Sequence, residues 1–140
     1  MAKVVIDANV IISAAFGGKP LEAVVRALED HAVFLSDTIE REIQGVISGL
    51  SKKLSNDQIL FLREKIQQLL SLAKHISIST HVVFSRDAKD DHYLSLCKEA
   101  KADFLITGDK DLLSISQDKL KANGILCRIV TPQEFLESIS

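Results

Sequence analysis

The sequence predicts a doubly wound α/β fold on a parallel sheet, and three observations carry that prediction. Strand-like and helix-like segments alternate from end to end; the strand-like runs are short, β-branched and apolar on both faces; and helix starts are marked by capping residues. A chain of 140 residues suits one domain, 1–140, and at 46% hydrophobic it can bury a sizeable core. With 26% charged residues and a net charge of -2 it is neither disordered by composition nor globally basic, so any nucleic-acid contact must be local.

In chain order, Val4 to Ile6 reads as the first strand, followed by helical segments from Val10 to Phe16 and from Leu21 to Asp30. Val33 to Leu35 is the second strand. Thr38 to Leu50 and Asn56 to Lys74 form a helical hairpin, with Gly45 to Lys53 as the stretch that turns. Ser55 and Gln58 make a capping box ahead of an apolar stripe of Ile59, Leu62, Ile66, Leu69, Leu70 and Ala73. Ile76 to Ile78 is the third strand, Asp90 to Lys101 a helix that Asp87 caps, and Phe104 to Ile106 the fourth strand. After a short turn near Leu112, Ile125 to Val130 is the fifth strand. Gln133 to Ile139 is the last helix, with Thr131 as its cap and Pro132 at the favoured first position.

The longest apolar runs, Val4 to Ile6 and Val10 to Phe16, are split by Asp7 and Asn9 and fall far short of the ~20 residues that a membrane span needs. A signal peptide fits poorly, because a carboxylate would sit in its apolar region and no strongly basic leader precedes it. The reading is a cytoplasmic protein. Cys97 and Cys127 fall on apolar faces, the ordinary place of buried free thiols, and no disulfide or zinc spacing exists.

Chemistry concentrates in four acids, Asp7, Glu42, Asp90 and Asp109, each at the C-terminal end of a strand or early in the helix that follows. In a doubly wound sheet those ends line one crevice, so carboxylates distant in sequence converge there, and such a cluster needs cations. Helix capping explains Asp7 as well as catalysis does. Recurrence tilts the balance, since Asp109 stands in the same relation to its strand in Thr107-Gly108-Asp109, with Gly108 permitting a tight turn. Asp90 lies three, four and seven residues before Tyr93, Leu94 and Cys97, which extends an inward helix stripe and calls for a partner to its charge. Asp91, in line with Ser95 and Lys98, faces outward or toward the crevice rim. The helical wheel does not choose between Glu40 and Glu42. Glu40 sits where a capping box from Asp37 would use it, which leaves Glu42 freer.

Four segments, Val5-Ile6-Asp7-Ala8-Asn9-Val10, Leu35-Ser36-Asp37 through Glu42-Ile43, Arg86-Asp87-Ala88-Lys89-Asp90-Asp91 and Thr107-Gly108-Asp109-Lys110-Asp111-Leu112-Leu113, resemble the successive motifs of PIN-domain proteins. The match spans essentially the whole chain. Val130 to Leu136 resembles the end of the small bacterial PIN group counted as toxins of toxin-antitoxin pairs. Asp87-Ala88 stands where that group often has Asp-Pro. The resemblance implies a three-layer α/β/α sandwich with a central, mainly parallel five-stranded sheet, an acidic pocket for Mg2+ or Mn2+, and hydrolysis of RNA phosphodiesters. It makes Asp7, Glu42, Asp90 and Asp109 the pocket acids and metal ligands, with Asn9, Ser36, Asp91, Thr107 and Asp111 in support. It further implies self-association as a homodimer or higher homo-oligomer and restraint by a cognate antitoxin protein.

That chemistry suits the residues. Mg2+ takes hard oxygen ligands and keeps several waters, so a few carboxylates and a substrate phosphate hold it without histidine or cysteine. RNA phosphates need nearby cations, for which Lys52, Lys53, Arg86, Lys89 and Lys110 are the candidates. At 5% aromatic residues and no tryptophan, a broad base-stacking platform is not available. The histidines His31, His75, His81 and His92 show no ligand spacing. Three other readings compete: a haloacid-dehalogenase-type phosphatase, whose second aspartate is here Asn9; a receiver domain, whose phosphoacceptor is missing after Ile76 to Ile78; and a PIN-like module that binds RNA or protein without cutting.

Overall fold

Lys3–Ile6 forms β1, and Val4, Val5 and Ile6 are almost completely buried, as a strand covered on both faces must be. Four more strands join it: β2 (Ala32–Leu35), β3 (Lys74–His75), β4 (Phe104–Ile106) and β5 (Arg128–Val130). They make one sheet in the order β3-β2-β1-β4-β5, and every neighbouring pair is parallel. The structure is a computed structural model that describes residues 1–78 and 88–139, with the backbone alone at 88–90. Arg86 and Asp87, the expected cation and helix cap, lie outside the described residues.

Parallel strands cannot be joined by tight hairpins, so helices fill the connections. α1 (Ala8–Ala14) and α2 (Gly18–Asp30) lead to β2, α3 (Asp37–Leu50) and α4 (Asn56–Leu70) lead to β3, and α5 (Ala88–Ala100) leads to β4. α6 (Lys110–Leu113) and α7 (Gln117–Ala122) precede β5, and α8 (Pro132–Ile139) closes the chain. α2 packs with α1, α8 and β2, whereas α5 lies across β1 and β4, which makes three layers. Phe135 of α8 is fully buried, edge-on to Phe104 at 5.3 Å and to His31 at 5.9 Å. Burial of one such large apolar side chain contributes roughly 1.5–3 kcal/mol.

The strand order sets the position of the crevice. From β1 the chain winds outward through β2 to β3, then returns past β1 to β4 and β5. The switch point therefore lies between β1 and β4, paired in register at Ile6 and Ile106. In such a sheet the strand ends at this point open the natural ligand crevice. The next residues are Asp7 on one side and Thr107, Gly108 and Asp109 on the other.

Several elements differ from the sequence expectation. β3 is Lys74–His75 rather than Ile76 to Ile78, because β2 ends at Leu35, which pairs with His75 and leaves the isoleucines only a single bond from Ile76 N to Leu35 O. β5 shortens to Arg128–Val130 because β4 offers only three residues to pair with. α7 went unpredicted: its six residues bury only Leu120 and carry no readable period. Ser36, not Asp37, caps α3, accepting from Ile39 N, and Gly45 and Gly49 are helical, so the hairpin turns after Leu50. α5 is buried continuously from Tyr93 to Cys97, Ser95 included, and Asp91, expected outward or toward the crevice rim, is half-buried. The capping box of Ser55 with Gln58 forms as expected; Thr131 caps α8 as expected and Glu134 completes a box with it that the sequence reading does not include; and Cys97 and Cys127 are buried free thiols.

Candidate active site

β1 delivers Asp7 to the switch point, where only 5% of the residue is exposed. Its backbone N–H still bonds Ile106 O of β4, which fixes the carboxylate over the seam between the two strands. Oδ1 accepts from Asn9 N at 3.0 Å, capping α1, and lies 3.2 Å from the Tyr93 hydroxyl. Oδ2 accepts from Thr107 Oγ1 at 2.7 Å. Once the Tyr93 proton goes to Glu42, as below, a lone-pair direction on each oxygen is left open among the described residues. Among the described residues no lysine or arginine pairs with this buried charge. Capping α1 uses only Oδ1, so it leaves the other carboxylate oxygen of Asp7 for Thr107 and the cleft.

Glu42 reaches the same spot from α3. The Tyr93 hydroxyl donates to Glu42 Oε1 at 2.6 Å, lies 3.2 Å from Asp7 Oδ1, and accepts from Ala8 N at 3.0 Å. One proton thus serves two carboxylates, and the shorter contact takes it. Burial, with the Asp7 charge and the Glu42 bond added, pushes the Tyr93 phenol far above its ordinary range, so it stays a donor. His92 stacks on the Tyr93 ring at 4.0 Å between centroids, with Nε2 3.0 Å from Glu42 Oε1. That approach is off the hydrogen-bonding direction, and neither ring nitrogen has a hydrogen-bond partner among the described residues. Burial holds the His92 pKa below its ordinary value, although the Glu42 and Asp7 charges pull it up. The ring therefore gives little positive charge to balance the acids at neutral pH.

Asp109 follows β4 and is linked to Asp7 through one side chain. Asp109 N donates to Thr107 Oγ1 at 3.0 Å, and the same hydroxyl donates to Asp7, with Thr107 fully buried. Asp109 Oδ1 caps α6 by accepting from Asp111 N at 2.8 Å. Asp7, Asn9, Ser13, Gly108 and Asp109 line one open cleft of about 460 Å³. Gly108 does not take a left-handed conformation, and an added Cβ would meet nothing within 4 Å, so the turn does not depend on a glycine there.

The remaining expected residues separate. Asp90 begins α5 one turn before Tyr93, and its side chain, like that of Lys89, lies outside the described residues. Ser36 is a buried cap; Asp111 is exposed in the first turn of α6. Lys110 is exposed beside Asp109. Lys52 and Lys53 are exposed in the turn after α3, and at ~1.5 Å per helical residue that turn starts roughly 12 Å beyond Glu42. Glu40 does not complete a capping box; it meets His75 Nε2 at 2.9 Å. Asp37, Glu40 and His75 are the one set among the described residues whose three ligand atoms lie within 4.8 Å of one another, and they are largely exposed. Tyr93 and His92 were not expected in the site. The signal for Tyr93 was present in its three-residue spacing from Asp90 on the inward stripe.

Residues 3–111 match the family described as PIN domain. No curated protein sequence matches the chain. Among solved structures, PAE2754 from Pyrobaculum aerophilum superposes with a TM-score of 0.63 at 12% identity, covering 97% of this chain and 88% of its own. VapBC2 from Rickettsia felis, solved bound to a DNA fragment from their promoter, gives 0.57 at 14% identity, covering 91% and 96%.

Proposed function

The chain belongs to the PIN-domain family, and on that premise we propose that it is a metal-dependent endoribonuclease hydrolysing RNA phosphodiester bonds, the toxin component of a bacterial toxin-antitoxin pair. The observation that carries this reading is the pair of carboxylates, Asp7 and Glu42, set around one buried hydroxyl with no lysine or arginine partner among the described residues. Hard oxygen donors, an open lone pair on Asp7 and uncompensated negative charge suit Mg2+ or Mn2+. Asp7, Glu42 and Asp109 would hold the ion, joined by Asp90 from the start of α5. A bound divalent ion there supplies Lewis acidity, lowering the pKa of water and stabilising charge on a phosphate.

The protein's own part is orientation. Thr107 and Asn9 fix the plane of the Asp7 carboxylate from both oxygens. Thr107 also ties the backbone of Asp109 to that plane, so the acids after β1 and β4 move together. Asn9 and Asp109 stand in the cleft that opens to solvent, where a carboxylate can orient the attacking water. Lys110, exposed beside Asp109, would meet a phosphate in the cleft; Lys52 and Lys53, exposed after α3, would contact only an RNA that extends along α3. Self-association as a homodimer or higher homo-oligomer, a cognate antitoxin protein and a cytoplasmic location complete the proposal. No described helix is long and apolar enough to cross a membrane.

The test is incubation of the purified protein with structured RNAs in Mn2+ and in chelator, beside Asp7→Asn. Cleavage that needs Mn2+ and Asp7 supports the reading. Intact RNA, together with binding that ignores Mn2+, moves the protein to the non-cutting binding module.

A further inference from the structure

We propose that Tyr93 is a positioning residue whose single hydroxyl sets Glu42 against Asp7, so that a cation meets the two carboxylates as a preformed pair. The inference rests on the metal-site reading above. Tyr93 is only 4% exposed, and its oxygen meets three groups: Ala8 N of α1 at 3.0 Å, Asp7 Oδ1 of the α1 cap at 3.2 Å and Glu42 Oε1 of α3 at 2.6 Å. The Ala8 bond orients the phenol oxygen, leaving its proton to point at the carboxylates. Without that proton, Glu42 on its flexible stem has no described donor in hydrogen-bonding geometry, since the His92 contact is off-direction. Two like charges would then separate, and a cation would have to gather them again at an entropic cost.

Calorimetric Mn2+ titrations of wild type, Tyr93→Phe, Glu42→Gln and the double variant test this, with Asp109→Asn alone and combined with Tyr93→Phe as the comparison. Tyr93→Phe is expected to weaken Mn2+ binding about tenfold, the size found when groups that orient metal ligands are removed. Glu42→Gln should then cost far less in Tyr93→Phe than in wild type, whereas Asp109→Asn should cost the same in both, because coupling follows contact. A purely structural tyrosine would lower the melting temperature and leave both comparisons flat. Unchanged or tightened Mn2+ affinity in Tyr93→Phe, or independence of Glu42, overturns the proposal. If wild type takes up no Mn2+, the metal-site reading falls by itself, and metal-free melts of the same set decide: coupling of Tyr93 to Glu42 upholds the positioning role, additivity overturns it. Should Tyr93→Phe not fold, the hydroxyl proton resonance of Tyr93 replaces it. A shift on Glu42→Gln supports the contact, and no shift overturns it.

Discussion

Asp7→Asn separates the proposed site role from the capping role, because the structure shows Asp7 capping α1 and the proposal asks it to hold a metal as well. Asp7 Oδ1 and Glu42 Oε1 are no farther apart than their two contacts to Tyr93 laid end to end, 3.2 Å and 2.6 Å. At about 6 Å two unit charges repel by about 3 kcal/mol at an effective dielectric of ~20, and by less than ~1 kcal/mol in water. Glu42 is 32% exposed, so about 1–2 kcal/mol is the repulsion that neutralising Asp7 relieves. Against this, asparagine keeps a carbonyl for Asn9 N but turns an amide toward Thr107 Oγ1, which already accepts from Asp109 N. The Thr107 proton then loses its acceptor in a buried place, at a cost of about 1–3 kcal/mol. The terms nearly cancel, so metal-free Asp7→Asn should melt within about 5 °C of wild type, at about 4 °C per kcal/mol for a chain of this size. Saturating Mn2+ at ~100 times its Kd should raise wild type by about 2.7 kcal/mol, or ~10 °C, and leave Asp7→Asn where it was, with RNA cleavage abolished. Thermal melts with Mn2+ and with chelator read both outcomes. A metal-free loss well beyond 10 °C, or an equal Mn2+ gain in both proteins, would refute the reasoning and return Asp7 to structure alone.

Thr107→Val removes the donor to Asp7 and the acceptor of Asp109 N while keeping the shape; melts should fall by about 1–3 kcal/mol and RNA cleavage should fall with them, whereas unchanged cleavage would free Asp7 from that anchor. Glu134 has its pKa held below the usual 4.5 by the Thr131 N–H, with the Thr131 hydroxyl adding to it. Its contribution is therefore present above 4.5 and lost as pH falls through the lower folded value, so the melting advantage of wild type over Glu134→Gln should shrink from pH 6 to pH 3, and a constant gap would contradict it. Phe135→Ala empties a fully buried position against Phe104 and His31 and should cost about 3–5 kcal/mol in denaturant melts; a loss under ~1 kcal/mol would mean α8 does not close the core as described.

The sheet and its helices were legible because parallel strands announce themselves as short apolar runs, and β1, β2 and β4 fall within a residue of where those runs lie. Edge positions were not. Lys74 and His75 carry no apolar signal, and what selects them is the length of β2 beside them. Asp7 and Asp109 were readable from their places after β1 and β4, since strand order alone brings those ends together. Glu42 was not fixed by the wheel, and the capping argument that favoured it is wrong in detail: Ser36 caps α3 and Glu40 is engaged by His75. Tyr93 was hidden by its own apolar ring, which accounts fully for its place on a buried stripe. Only the meeting of α1, α3 and α5 shows what its hydroxyl touches.

The most direct measurement is anomalous diffraction at the manganese edge from crystals soaked in Mn2+. A manganese peak in contact with the Asp7 carboxylate, with Glu42 and Asp109 around it, is the predicted result. A peak held instead by Asp37, Glu40 and His75, with none at Asp7, would contradict the account.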